Sequence, residues 1–187
     1  KALMLPPGLA MLGLSDAAIE RIGTGSGYYL NLASELAKQK KNTTAYTAAT
    51  TLIIGLNKIF DLIEELGGTQ RLYALTAARS AALLKALEAI GLTIYPSSPA
   101  KAMATVIDGD AEKIRKLLKE KYSVNIAGGQ DHLKGKIFRI NNMGLIESSE
   151  MLWVVDSVES ALEDLGRREY NGEAAKVFSQ TLKAELK

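Results

Sequence analysis

The stretch Lys136-Ile137-Phe138-Arg139-Ile140-Asn141 alternates in the way that is typical of a β-strand with one apolar face. Phe138 and Ile140 lie to one side of such a strand, and Arg139 lies to the other. An arginine this close to a core needs an anion, and its planar guanidinium can hold a carboxylate through two parallel hydrogen bonds. Two interpretations follow from the residues alone. Arg139 binds a carboxylate ligand, or it is an edge-strand arginine paired with an Asp or Glu of the chain.

Outward from this strand, the hydrophobic pattern predicts a small α/β domain. Strands are predicted near residues 93–95, 103–107, 124–127 and 136–140. One helix is predicted to begin at residue 108 or 110. A second helix, capped by Ser148 or Ser149, is predicted to run to about residue 165, and a third to cover residues 172–186. The order β-β-α-β-β-α is that of an open-faced α/β sandwich, closed by one further helix.

The first half of the sequence is mostly helical in its pattern. We expect a strand at about residues 9–14 and then helices at about 16–22, 28–40, 47–66 and 69–90. The period changes from helical to extended beyond Gly91, which ends the last of these helices. The sequence therefore predicts a first domain over residues 1–91 and a second over residues 92–187.

The composition predicts a soluble, globular protein and excludes several kinds of site. The chain has 187 residues, 47% of them hydrophobic and 24% charged, with no Cys. Disulfides, thiolate metal sites and cysteine nucleophiles are excluded, which fits a cytoplasmic protein. The net charge of +2 gives no general electrostatic case for nucleic acid. His132 is the only histidine, so we expect an exposed loop residue and no metal site.

The chain begins with Lys1-Ala2-Leu3-Met4-Leu5-Pro6-Pro7-Gly8, without an initiator Met. A lysine ahead of an apolar stretch and a Pro-Pro-Gly turn places an amine at the edge of the predicted sheet. Desolvation there lowers a lysine pKa and makes the amine a nucleophile toward an aldehyde. The alternative is that Lys1 is simply an exposed terminal residue.

A third segment, Asn42-Thr43-Thr44-Ala45-Tyr46-Thr47-Ala48-Ala49, lies just ahead of the helix predicted from residue 47. Hydroxyls and free amides at a helix N-terminus form an anion site that needs no formal charge. Thr47 is either the N-cap of this helix, or an anion ligand, or both together.

These three segments together resemble the class V aminotransferases, which depend on pyridoxal 5′-phosphate. The octapeptide at Lys1 is similar to the segment that carries the cofactor lysine, nearest to the alanine–glyoxylate and serine–pyruvate branch. Phe138-Arg139-Ile140-Asn141-Asn142-Met143-Gly144 is similar to the family's R-I-x-x-M/L-G element, and the Thr47 segment to its T-P-x-T-P-A element. Ala45 and Ala48 stand where proline is common, which costs loop rigidity but removes no functional atom.

The resemblance implies a fold, a cofactor and roles for three residues. The fold is α/β, the C-terminal part of a fold-type I transferase with the end of the large domain and a small α/β sandwich. Lys1 is the Schiff-base lysine, Arg139 binds the substrate carboxylate, and Thr47 reaches the cofactor phosphate of the other subunit in a homodimer. The substrates implied are small amino acids, such as serine or alanine, and 2-oxo acids, such as pyruvate or glyoxylate.

The same resemblance implies that a large part of the site is contributed from outside these residues. The family's aspartate for the pyridine nitrogen, its stacking aromatic residue and most phosphate ligands precede the lysine. We therefore expect the chain alone to be inactive and to need an N-terminal half. The alternative is an autonomous α/β binding or assembly module with no catalysis, which would be a monomer indifferent to the cofactor.

Overall fold

The computed structural model describes residues 2–24 and 27–187. Lys1 lies outside the described residues, as do two residues of the glycine-rich stretch that precedes Tyr28. The packing divides into two compact units, Leu5–Phe60 and residues 61–187 together with 2–4. This division differs from the predicted domain boundary after residue 91, which remains a prediction.

Three helices dominate the first half of the chain. They are α1 (Asp16–Ile22), α2 (Leu32–Gln39) and α3 (Thr50–Glu65). The hydroxyl of Ser15 accepts a hydrogen bond from the Ala18 amide at 3.3 Å, so α1 begins as predicted. The side chain of Asn31 caps α2 by accepting from the Ser34 amide at 3.0 Å. This cap makes α2 begin later than the predicted residue 28.

The predicted strand at residues 9–14 is wrong. These residues form no strand, and Leu9, Met11 and Leu12 are exposed by 38%, 58% and 63%. An extended segment becomes a strand only when a neighbour supplies the hydrogen-bond ladder. The unit Leu5–Phe60 contains no strand among its described residues that could do so.

The second unit is built on a four-stranded antiparallel sheet. Its elements are α4 (Gly68–Ala89), β1 (Thr93–Ile94), β2 (Met103–Ile107), α5 (Ala111–Glu120), β3 (Ala127–Gly128), β4 (Ile137–Asn141), α6 (Ser148–Asp164) and α7 (Glu173–Glu185). The predicted order β-β-α-β-β-α is confirmed. The strands lie in the order β1-β2-β4-β3, so β4 is a central strand. The third strand is shorter than predicted and begins only at Ala127.

One face of this sheet is packed against helices and forms the core. The core cluster takes Ala104 and Val106 from β2 and Phe138 and Ile140 from β4, all 2% exposed or less. Helices α4 and α5 contact these strands, and α7 packs against α4 and α6. Since side chains alternate along a strand, Arg139 lies on the opposite face, away from this core.

The start of α6 differs from the prediction that Ser148 or Ser149 caps it. The N-cap is Glu147, whose side chain accepts from the backbone of Glu150 while the Glu150 carboxylate accepts from the Glu147 amide at 2.9 Å. This reciprocal pair is a capping box, and it satisfies two amides that the helix leaves free. The helix therefore starts as predicted but uses a different cap. No helix in residues 2–24 and 27–187 is long and apolar enough to cross a membrane.

Candidate active site

Arg139 lies in the middle of the sheet, between two partner strands. It pairs with Thr105 of β2 on one side and with Ala127 of β3 on the other. The interpretation as an edge-strand arginine is therefore wrong. Its side chain is half-buried, and its Nε donates a hydrogen bond to the carbonyl of Gly128 at 2.9 Å. This bond fixes the direction of the guanidinium and leaves its two terminal nitrogens for other partners.

A cavity of about 600 Å³ opens beside Arg139. It is lined by Met103, Asn125, Ile126, Ala127, Arg139, Asn141 and Met143. Arg139 supplies the one formal charge among these side chains. Within the described part of the chain, no Asp or Glu lies within ion-pair distance of its guanidinium. An unpaired guanidinium at the wall of a cavity is suited to bind a carboxylate through two parallel hydrogen bonds.

The segment that follows Lys1 packs against the loop that follows β4. The Leu145 amide donates to the sulfur of Met4 at 3.3 Å. Gly144 has a φ of +81°, and a Cβ built on it would lie 2.8 Å from Cγ of Met4. Glycine is thus required here both by the backbone conformation and by the close approach of Met4. Lys1 itself lies outside the described residues.

Thr47 belongs to the other unit and is exposed in the loop ahead of α3. It is not the N-cap, because α3 begins at Thr50 and the first helical amide bond runs from Ile53 to the carbonyl of Ala49. The hydroxyls of Thr44 and Thr50 donate to the carbonyls of Tyr46 and Ala48, at 2.5 and 3.4 Å. Thr47 differs from both: its hydroxyl has no hydrogen-bond partner among the described residues.

The loop that carries Thr47 is held by α2. The carboxylate of Glu35 accepts a hydrogen bond from the Ala45 amide at 3.0 Å, and Gln39 donates to the same carboxyl group at 3.0 Å. The amide of Ala45 and the side chain of Gln39 hold the pKa of Glu35 below its usual value. The loop and α2 line a cavity of about 840 Å³ within this unit.

Among the predicted residues, only Arg139 and the segment after Lys1 belong to the same unit. Thr47 lies in the other unit, and each site is described on its own. His132 is exposed, as predicted, and the described residues contain no cluster of three potential metal ligands. The binding roles of Lys1, Arg139 and Thr47 stay predictions.

Sequence reasoning missed two buried polar residues of the larger unit, Arg79 and Asn142. A signal for Arg79 was present, since it stands four residues after Leu75 and four before Leu83 on the apolar stripe of α4. A cation on such a stripe needs an internal partner. Asn142 gave a comparable signal, since it stands two residues after Ile140 on the side of the strand that Phe138 and Ile140 share.

Most of the chain is similar in sequence to known aminotransferases. An uncharacterized aminotransferase of Helicobacter pylori (strain ATCC 700392 / 26695) is 44% identical over 179 residues, covering 95% of this chain and 48% of that protein. The serine–glyoxylate aminotransferase of Arabidopsis thaliana is 29% identical over 175 residues, covering 89% of this chain and 43% of the relative. No protein-family model matches the chain.

The fold is also similar to that of solved enzymes. The crystal structure of an aspartate aminotransferase of subgroup IV from Thermus thermophilus matches with a TM-score of 0.77 and 34% identity, over 88% of this chain and 47% of that one. The chain spans about half the length of the relatives it matches.

Proposed function

We propose that this chain contributes the cofactor lysine and the substrate arginine of an aminotransferase. The chain belongs to the class V aminotransferase family and matches about half the length of its relatives. The enzyme would move an amino group between a small amino acid, such as serine or alanine, and a 2-oxo acid, such as pyruvate or glyoxylate. The observation that carries this proposal is the unpaired guanidinium of Arg139 at the wall of the 600 Å³ cavity.

The chemistry of Arg139 fits what amino donors and oxo acceptors share. Both kinds of substrate carry a carboxylate next to the reacting carbon, whatever their side chain. Because Nε is already bonded to Gly128, the terminal nitrogens can hold that carboxylate in one orientation. Such an orientation positions the reacting carbon, and positioning lowers the barrier without any proton transfer by Arg139 itself.

The donor groups near Thr47 fit a phosphate. The Thr47 hydroxyl is free among the described residues, and the amides of the first turn of α3 precede its first helical hydrogen bond at Ile53. A helix N-terminus with no acidic residue in its first turn favours an anion. Thr47 would hold the phosphate of pyridoxal 5′-phosphate, and Lys1 would hold its aldehyde carbon.

Pyridoxal 5′-phosphate, when bound, supplies an electron sink for the charge that develops on the substrate Cα. The residues of this chain would bind the substrate and transfer the proton. Arg139 holds the carboxylate, so that the Cα–H bond keeps a fixed direction. The Lys1 amine would be the base that takes the proton from the substrate Cα and holds it on Nζ.

We propose further that activity needs the half of the enzyme to which this chain has no match. The chain covers 48% of the Helicobacter pylori relative and 47% of the Thermus thermophilus structure. A homodimer and a cytoplasmic location are part of the proposal. The exposed side chains of Ile53, Ile54 and Phe60 on α3 support an association surface there, and the absence of Cys fits a reducing compartment.

Borohydride reduction followed by intact and peptide mass measurement tests this proposal. Reduction traps a cofactor bound to a lysine as a stable adduct. We expect a phosphopyridoxyl group on Lys1 in the assembled enzyme, and none on the 20.1 kDa chain alone. The variant Lys1→Arg keeps the charge and should abolish the adduct. An adduct on a different lysine, or turnover by the isolated chain, would contradict the proposal. An unmodified assembled enzyme would instead support a binding module without catalysis.

A further inference from the structure

Arg79 is a buried cation that bonds only neutral groups. It is 5% exposed on α4. Its Nε donates to Oδ1 of Asn142 at 3.0 Å, and its Nη2 donates to the carbonyl of Gly144 at 2.7 Å. Across residues 2–24 and 27–187 no carboxylate forms an ion pair with it. The carboxylate of Glu147 acts on Arg79 electrostatically, without forming an ion pair. Because burying a cation without a directly bonded counter-ion is costly, an apolar residue at this position would cost less free energy. What an apolar side chain lacks is a rigid fork with two donors.

Asn142 joins three segments of the larger unit. It is fully buried, and its Nδ2 donates to the carbonyls of Thr76 on α4 and Lys101, both at 2.9 Å. Its backbone amide donates to the carbonyl of Ala102 at 2.9 Å. With the bond accepted from Arg79, this side chain uses both donors and its oxygen. No buried polar side-chain atom in the described residues lacks a partner.

The junction at Asn142 lies between the two predicted catalytic elements. On one side, Ala102 directly precedes β2, and Asn141 is the last residue of β4. These two strands both contribute residues to the lining of the cavity beside Arg139. On the other side, Gly144 and Leu145 carry the contacts to Met4, three residues after Lys1 in the sequence. Arg79 bonds both parts at once, through Asn142 and through the Gly144 carbonyl.

We infer that Arg79 and Asn142 are positioning residues that set the spacing between the carboxylate-binding Arg139 and the segment of Lys1. This inference rests on the proposed function of those two residues. Arg79 touches neither substrate nor cofactor. It holds the loop of residues 142–145 in one place relative to β4, and that loop in turn supports Met4. A misplacement of about 1 Å at a reacting centre can cost on the order of 100-fold in rate, so such a support matters to turnover.

The test compares the reaction rates of alanine and of ethylamine, which is alanine without its carboxylate. In the assembled enzyme, single-turnover rates with alanine and with ethylamine are followed through the cofactor absorbance. Arg79→Lys keeps the cation but has one terminal nitrogen for two acceptors. We expect the preference for alanine over ethylamine to fall by about tenfold or more, because only alanine needs Arg139 and Lys1 at the correct spacing. Arg168→Lys is the matched control, since Arg168 bonds the buried Glu159 at 3.1 Å and shares no bonding partner with Arg79. The preference of this variant for alanine should stay at the wild-type value.

A second variant covers the case in which Arg79→Lys does not fold. Gly144→Ala keeps the side chains of Arg79 and Asn142, and it adds a Cβ that pushes on Met4 from the loop whose carbonyl Arg79 bonds. The same loss of preference is expected. A wild-type preference that persists unchanged in the folded variants, or rates for both amines that fall in parallel, would overturn the inference alone. A wild-type enzyme with no preference for alanine would overturn the role of Arg139 and, with it, this inference.

Hydrogen exchange of the 187-residue chain gives a readout that needs no cofactor or activity. Among the described residues, the Met4 sulfur is the only hydrogen-bond acceptor of the Leu145 amide, and Arg79 bonds the loop through the Gly144 carbonyl. We expect its exchange to become faster on the order of tenfold in Arg79→Lys and to stay unchanged in Arg168→Lys. Equal exchange in both variants and wild type would show that Arg79 does not hold this loop.

Discussion

The Leu145 amide donates a hydrogen bond to the sulfur of Met4, although the two residues are 141 positions apart in the sequence. One partner follows the predicted cofactor lysine closely, and the other follows the strand of Arg139. Both belong to the same compact unit. The packing of this unit therefore links the two segments to which the proposed function gives the cofactor lysine and the substrate arginine.

Substitution of Gly144 measures the Met4 contact. Gly144→Ala places a Cβ at 2.8 Å from Cγ of Met4, on a backbone with a φ of +81°. Gly91→Ala is the control, because its φ is +84° and a Cβ there meets nothing within 4 Å. We expect Gly91→Ala to lower the free energy of unfolding by about 1–2 kcal/mol through backbone strain. Gly144→Ala should cost about 1–3 kcal/mol more through overpacking.

Urea denaturation of the 187-residue chain provides these values. Adding Met4→Ala should recover most of the extra cost of Gly144→Ala and none of the cost of Gly91→Ala, which a double-mutant cycle detects. If the two glycine variants lost the same free energy of unfolding, the Met4 side chain would be free to move aside, and the loop would not hold it.

The role of Arg139 is tested by Arg139→Lys. A lysine keeps the positive charge but offers a point charge where the arginine offers two parallel donors. We expect kcat/KM for the amino acid to fall about 10- to 100-fold in the assembled enzyme, the equivalent of one charge-assisted hydrogen bond. Arg168→Lys is the control, since Arg168 pairs with the buried Glu159 at 3.1 Å and shares no bonding partner with Arg139, so it should not affect kcat/KM. An unchanged kcat/KM in Arg139→Lys would contradict carboxylate binding.

The role of Thr47 is tested against a neighbour in the same loop. Thr47→Val removes a hydroxyl that has no partner among the described residues, whereas Thr44→Val removes one that donates to the Tyr46 carbonyl. We expect Thr47→Val to weaken the affinity for pyridoxal 5′-phosphate about tenfold or more, because a hydrogen bond to a charged phosphate is lost.

Titration of the apo-enzyme with the cofactor measures this affinity. Thr47→Ser keeps the hydroxyl and should bind nearly as well as the wild type. If Thr44→Val weakened binding as much as Thr47→Val, the loop conformation would be the cause and the hydroxyl of Thr47 would have no direct part.

The sequence predicted the second half of the fold better than the first. The strand of Arg139 and the helices α4 and α6 were predicted because their apolar residues recur at the spacing of a strand or of a helix, and these residues pack within the same unit. The strand at residues 9–14 was wrong because an apolar run does not reveal whether a partner strand is present. The pattern of residues 9–14 is that of a strand, yet its side chains are exposed.

The candidate site was predicted in its parts but not in its connections. Arg139 and the segment after Lys1 were found from local motifs. Their link through Met4 and Gly144 depends on a contact between distant parts of the sequence, and no local pattern contains it. The N-cap role of Thr47 was wrong for a related reason. Threonine makes a good cap, but the helix begins three residues after Thr47, at Thr50, and the residue before it is Ala49.

The stability of the chain should depend on pH through Asp164. Its carboxylate accepts hydrogen bonds from Lys121 at 2.5 Å and from the Tyr122 hydroxyl at 2.7 Å, joining the end of α5 to the end of α6. These two bonds hold the pKa of Asp164 below its usual value. A carboxyl whose pKa is lower in the folded state than in the unfolded state stabilises the fold above its unfolded pKa. This stabilisation is lost as the pH falls through the folded pKa.

We therefore expect Asp164→Asn to be less stable than the wild type at pH 7, with a difference that shrinks as the pH falls below about 4, the usual pKa of an aspartate. Urea midpoints measured between neutral and acidic pH test this. Glu120→Gln is the control, because it makes the same change of charge on α5. This variant should lose stability in acid to the same extent as the wild type. If the Asp164→Asn difference stayed constant down to low pH, the lost contribution would be one of packing or hydrogen-bond geometry and not of the ionised carboxylate.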